Sequence, residues 1–125
     1  MATVLCNSGR AIVTNRIIGS GVSPSFVGWG VSSGTSSVTD TALFGEDTTS
    51  GYVRQNGTVS RVTTAVSNDT IQIVATQVAL ANLTITNAGN FDAISGGNIF
   101  VHGDFNGLSL NTNDSIQFTI KCQFN

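Results

Sequence analysis

The stretch from Thr112 to Phe124, T-N-D-S-I-Q-F-T-I-K-C-Q-F, constrains this chain more than any other. Ile116, Phe118, Ile120, Cys122 and Phe124 alternate with Gln117, Thr119, Lys121 and Gln123. A period of two sends every apolar side chain to one face of a strand and every polar one to the other. Asn113-Asp114 ahead of it is a turn signal. A strand with one apolar face needs a second layer to cover it, so the chain must fold as packed layers.

The same alternation recurs in weaker form along the chain. Phe26-Val27-Gly28-Trp29-Gly30 is a strand in which glycine marks a bulge or a close backbone approach. Trp29 anchors either the core or a subunit contact. Tyr52-Val53-Arg54 and 58–66 flank Gln55-Asn56-Gly57, and Asn-Gly is the strongest short hairpin signal. Residues 70–80 form a long strand whose imperfect alternation points to a bulge near Val74 or to burial of both faces. Residues 82–86 form another, and 87–92 read as a loop. Ile99 to Phe105 follows Ser95-Gly96-Gly97-Asn98, a second hairpin signal. No stretch combines a 3.6-residue period with helix caps. The pattern predicts an all-β antiparallel β-sandwich, a jelly roll being one arrangement it admits. The chain of 125 residues reads as a single β-sandwich domain over 1–125. Residues 1–18 are an extended N-terminal segment, either one strand or an arm lying on a partner.

Composition narrows the function classes. Hydrophobic residues make up 40% of the chain, but charged residues only 10%, well below the roughly 25% usual in soluble domains. Ser, Thr, Asn, Gln and Gly fill the gap, leaving a neutral surface with few charges to guard strand edges. The net charge is -2, and the cations are scattered. Nucleic-acid binding is therefore not expected, because phosphate contacts need clustered cations. No apolar run is long enough to span a bilayer, so no membrane contact is expected. The N-terminus lacks the regions of a signal peptide, so secretion by that route is not expected. Two cysteines, Cys6 and Cys122, are too few for a disulfide framework or a four-ligand metal site. Free thiols are the favoured state over a bridge between them.

No motif carries chemistry by itself, and the chain reads as a non-enzyme without cofactor or metal. His102 is the only histidine. Its place in the alternation, opposite Ile99 and Val101, reads as a surface or interface histidine. Asp40, Glu46 and Asp47 offer hard oxygen ligands to calcium, but without the spacing of a calcium loop. Phe26, Trp29, Tyr52 and Phe91 make either a sugar-stacking platform or, more in keeping with their chemistry, core or subunit packing. Interface candidates are Arg10, Ile12, Arg16 and Ile17 in the N-terminal segment, together with those four aromatics.

Four segments carry a family resemblance. They are V-G-W-G leading to D-T-A-L-F-G-E (27–46), S-R-V-T-T-A-V-S-N-D-T-I-Q (60–72), N-A-G-N-F-D-A-I-S-G-G-N-I-F-V (87–101) and N-D-S-I-Q-F-T-I-K (113–121). Together they resemble small virion structural proteins of tailed bacteriophages, of the capsid decoration or cement type. The chain departs from the pattern at Asn87 and Asn90, where an acidic and an apolar residue are expected. The resemblance implies a homo-oligomer, a trimer, that binds the major capsid protein on the outer capsid surface of the virion and stabilises the shell. The alternative is a receptor- or glycan-binding module of a tail fibre or baseplate. Residues 1–18 lie outside the resemblance and are expected to touch the shell.

Overall fold

The computed structural model describes residues 2–125. Among them are eight strands and one helix. In chain order they are β1 (Thr3–Leu5), α1 (Asn7–Ile17), β2 (Phe26–Gly30), β3 (Gln55–Asn56), β4 (Thr58–Val62), β5 (Thr70–Val78), β6 (Leu83–Phe91), β7 (Ile99–Leu110) and β8 (Ser115–Gln123). A five-stranded sheet has the order β1-β7-β6-β2-β3, and a three-stranded sheet the order β4-β5-β8. All pairings are antiparallel, as the sandwich reading requires.

The last strand behaves as its alternation predicts. Ile116, Phe118, Ile120 and Cys122 turn inward and are half-buried, while the residues between them are exposed. Phe118 meets buried Trp29 edge-on, with ring centroids 6.2 Å apart. Ala79, Ile85, Ala88 and Leu110 are the other buried members of that cluster. Val27, Ile73 and Ala75 form a second one beside it. Trp29 is thus a core anchor, and its indole N–H donates to Asp47 Oδ2 at 3.0 Å.

The structure departs from the sequence reading in four places. Residues 7–17 are a helix, not an extended arm or strand. No side chain caps its N-terminus, and β-branched residues are common in it. Tertiary contacts hold it: Ile12 packs on Phe100 and Val101, and Ser8 Oγ donates to the Ile99 carbonyl at 2.7 Å. A Cβ on Gly9 would lie 2.5 Å from the Phe100 carbonyl oxygen, so glycine lets the helix lie on β7.

Asn56-Gly57 is not a hairpin tip. β3 pairs with β2 and β4 with β5, so the chain crosses between sheets there. A Cβ on Gly57 would sit 2.7 Å from the Val74 carbonyl oxygen. Residues 87–91 are not a loop but the end of β6, which carries register shifts between Ile85 and Asn87 and between Gly89 and Phe91. The bulges therefore lie in β6, while β5 pairs in unbroken register along β8. Ser95-Gly96-Gly97-Asn98 does join β6 to β7, with Gly96 and Gly97 at φ of 63° and 70°.

The 31–54 segment forms a third layer on the outer face of the five-stranded sheet. Gly28 pairs directly with Gly89, and Gly89 with His102. That row is a flat floor. Tyr52, Glu46 and Arg54 lie over Gly28, Phe44 over Gly30, and Leu43 over Gly89. Leu43 joins Cys6, Phe91 and Ile99 in a small apolar cluster there.

Candidate interaction surfaces

The polar residues of greatest chemical interest hold this third layer down. Arg54 is buried, with 6% of its side chain exposed, and pairs bidentately with Glu46 at 2.9 and 2.8 Å. Its Nη1 also donates to the carbonyls of Ala93 and Gly96. The guanidinium carbon lies 3.4 Å from the centre of the Phe91 ring, a cation–π arrangement. Tyr52 donates its hydroxyl hydrogen to Glu46 and accepts from the Trp29 backbone N–H. Burial, and then the Glu46 charge and hydrogen bond, push the Tyr52 hydroxyl well above its ordinary pKa. Burial works against ionisation of Asp47, but hydrogen bonds from Thr49 and Trp29 outweigh it and hold the carboxyl below its usual range.

His102 is wholly buried, not at a surface or interface. Asn87 explains why. Asn87 Nδ2 donates to the carbonyls of Phe44 and Ser32, and Asn87 Oδ1 accepts from Phe44 N. The amide orientation is therefore set, and His102 Nε2 must donate to Asn87 Oδ1 at 3.0 Å. His102 Nδ1 faces Asp40 Oδ2 at 2.7 Å, and that oxygen also accepts from Ser37 N. Each ring nitrogen thus faces a side-chain oxygen of another segment. Both ring nitrogens are committed, so the ring serves to hold the 31–54 layer. Asn90 is equally buried: Nδ2 donates to the Pro24 carbonyl and Oδ1 accepts from Val101 N. The two positions that depart from the family pattern are thus hydrogen-bonding hubs. The β7 alternation could mark His102 as polar, but it could not show the loop that covers it.

The calcium candidates are separated by these bonds. Asp40 holds His102, Glu46 holds Arg54, and Asp47 holds Trp29. Among the described residues no cluster of three metal-ligating side chains exists. The cysteines are free thiols. Burial, and then the Asp40 charge, push the Cys6 thiol up to about 11.

The predicted interface residues divide into two groups. Ile12, Trp29 and Phe91 are buried within the chain itself and are core residues, not interface ones. With Trp29 and Phe91 inside, the four aromatics form no exposed stacking platform. Arg10, Arg16 and Ile17 lie on the helix surface, while Phe26 and Tyr52 are half-buried.

Exposed apolar side chains are spread over the surface, with one group at the end that holds α1. At the end holding α1, a groove of about 280 Å³ is lined by Ile12, Val13, Ile17, Pro24, Ile71 and Phe124. It opens into a wider polar hollow bordered by Arg16, Arg61 and Asp69. Ile17 and Ile18 are 79% and 74% exposed beside it. Phe124, which the alternation places inside, lies past β8 and half in solvent. At the opposite end, Leu80 in the β5–β6 connection lies near Gly51 and is partly exposed. Ala79 exchanges backbone bonds with Asp114 and Asn113, and the Asp114 carboxylate accepts from Asn111 N within its own turn.

The histidine, the buried arginine and three of the seven acids thus fasten one loop to the sandwich. Comparison with known families shows that the chain is a virion structural protein of tailed bacteriophages. It belongs to the family described as Podophage GP4 fiber I protein gp80, whose profile matches residues 11–122. No curated protein matches the chain.

Proposed function

We propose that the chain is a non-enzymatic building block of a podophage tail fibre, and not a capsid cement protein. The observation that carries this reading is the family match across 11–122. Two features support it. His102 and Arg54 are buried and hydrogen-bonded within the chain. The surface is poor in charge, with an apolar groove at the end that holds α1, as suits a protein that joins others. In this reading its partners are further copies of itself and the neighbouring tail proteins, without nucleic acid or membrane. The capsid reading instead makes the major capsid protein its partner, with a closed trimer as the unit.

Purified virions distinguish the two. Quantitative mass spectrometry should find this protein at a small fraction of the major capsid protein, and gold-labelled antibody should mark the tail. Parity with the capsid protein, and label over the whole shell, would overturn the fibre reading in favour of cement.

A further inference from the structure

We infer that the free edge of β8 takes an extended strand from another virion polypeptide, added as a fourth strand to the three-stranded sheet. This goes beyond the fibre reading and holds for either place in the virion. The two sides of the sandwich differ. On one, β3 ends at Asn56 and β4 begins at Thr58, so the chain itself closes the gap between the sheets. On the other, β8 pairs with β5 alone, while β1 extends the larger sheet past β7. Ile120 and Cys122 pack toward Phe100 and Val101 of β7, which leaves β1 overhanging. A cleft of about 240 Å³ opens there, with Thr3, Val101, Gly103 and Phe105 on one wall and residues 118–121 on the other.

The backbone defines what fits. Phe124 N–H donates to the Asp69 carbonyl and Ala79 N–H to the Asp114 carbonyl, and the β5–β8 register between them is unbroken. The even-numbered residues of β8 therefore bond β5. Ser115, Gln117, Thr119 and Lys121 turn their N–H and C=O groups to the open side, where no backbone partner exists among the described residues. Such a row of donors and acceptors is matched along its length by another extended chain. β8 lacks the usual protection of an edge: it has no proline or bulge, and Lys121 is its one charge. Side chains of the added strand alternate in turn. Those opposite Phe118 and Ile120 face Val101, Gly103 and Phe105 and are apolar; those opposite Thr119 and Lys121 face solvent. Lys121 makes no ion pair among the described residues, so an acid opposite it completes the match. The β8 edge of a second copy does not fit, because the two β1 overhangs would collide.

Hydrogen exchange on the free chain and on purified virions tests this directly. Alternate amides in 115–121 should exchange fast in the free chain and at least about tenfold slower in virions, as a new hydrogen bond implies. Equal exchange in the two states would overturn the proposal. So would protection shared equally by the free edge of β4, which would mark a contact through the flat face of the sheet. Thr119→Pro gives a second test. It removes an outward N–H that bonds nothing within the chain, and proline is tolerated on a free edge. The variant should melt near the wild type yet enter virions about tenfold less. Thr119→Val, which keeps the N–H, should enter normally. Normal entry of Thr119→Pro would overturn the strand addition; if that variant fails to fold, the exchange comparison decides alone. Either failure leaves the fibre reading standing, and a shell location changes neither readout.

Discussion

The outer face of the five-stranded sheet and the outer face of the three-stranded sheet are finished in opposite ways. The first is clad by residues 31–54. Its strands carry Gly28, Gly30 and Gly89 to admit the cladding, and His102 and Asn87 to bind it. The second is bare. Its cross-strand rows, Thr58–Val74–Thr119 and Ser60–Gln72–Lys121, are short neutral residues with a single charge. One face concentrates the chain's scarce charge under cover, where an ion pair has few water competitors. The other relies on hydroxyl and amide groups that water satisfies. Low charge content is therefore not evenly spread, and the clad face should be by far the more sensitive to substitution.

The largest effect is expected at Arg54→Ala. It strands Glu46 and two carbonyls in the seam, and breaking a buried pair costs about 3–5 kcal/mol. Denaturant unfolding measures the loss, and hydrogen exchange should rise first in 31–54. Asn87→Asp comes next. The amide donates to two carbonyls, so a carboxylate there faces them without a proton, at a cost of about 2–3 kcal/mol. A destabilisation no larger than that of an exposed substitution would refute the hydrogen-bond assignment around His102. Gly30→Ala should cost about 1–3 kcal/mol by overpacking, because its Cβ would collide with the Phe44 carbonyl and the Asn87 amide. Glycine's value there is space for the loop, and the same change at Gly96, where a Cβ meets nothing within 4 Å, tests backbone conformation alone. On the bare face, Thr76→Ala or Gln117→Ser should change stability by less than about 0.5 kcal/mol.

Acid titration sharpens the comparison from the other side. Asp69, in the turn between β4 and β5, accepts backbone bonds from Val66, Thr64 and Ala65, which outweigh its desolvation and hold its carboxyl far below the usual range. A depressed carboxylate stabilises the fold above its unfolded pKa, and that contribution disappears as pH falls through the folded value. Stability should therefore fall below about pH 4, and Asp69→Asn should flatten the fall. Cys6 works in the opposite direction. Its thiol stays neutral in the fold up to about 11, so its contribution is present at neutral pH and lost as alkali ionises the unfolded chain.

How much could be read in advance depended on whether a residue's partner was local. The strand 115–123 and the Ser95–Asn98 turn were legible because their determinants lie within a few residues of one another. Helix α1 was not: it lacks a side-chain cap and is stabilised by β7, about ninety residues away. Asn87–Phe91 looked like a loop because Asn and Gly usually serve turns. Here the asparagines instead satisfy backbone groups of distant segments. The groove was equally hidden, since Ile17, Ile71 and Phe124 share no sequence pattern.

The amino-acid sequence by itself determined that this protein is a layered antiparallel β-sandwich with a neutral surface. Alternation and turn chemistry are local properties, and they fix strand faces without reference to the rest of the chain. Only the tertiary structure decided which aromatics are core, where the few charges pair, and which apolar side chains are left exposed. Those outcomes depend on what a side chain meets across the fold, and burial is a property of the packed molecule.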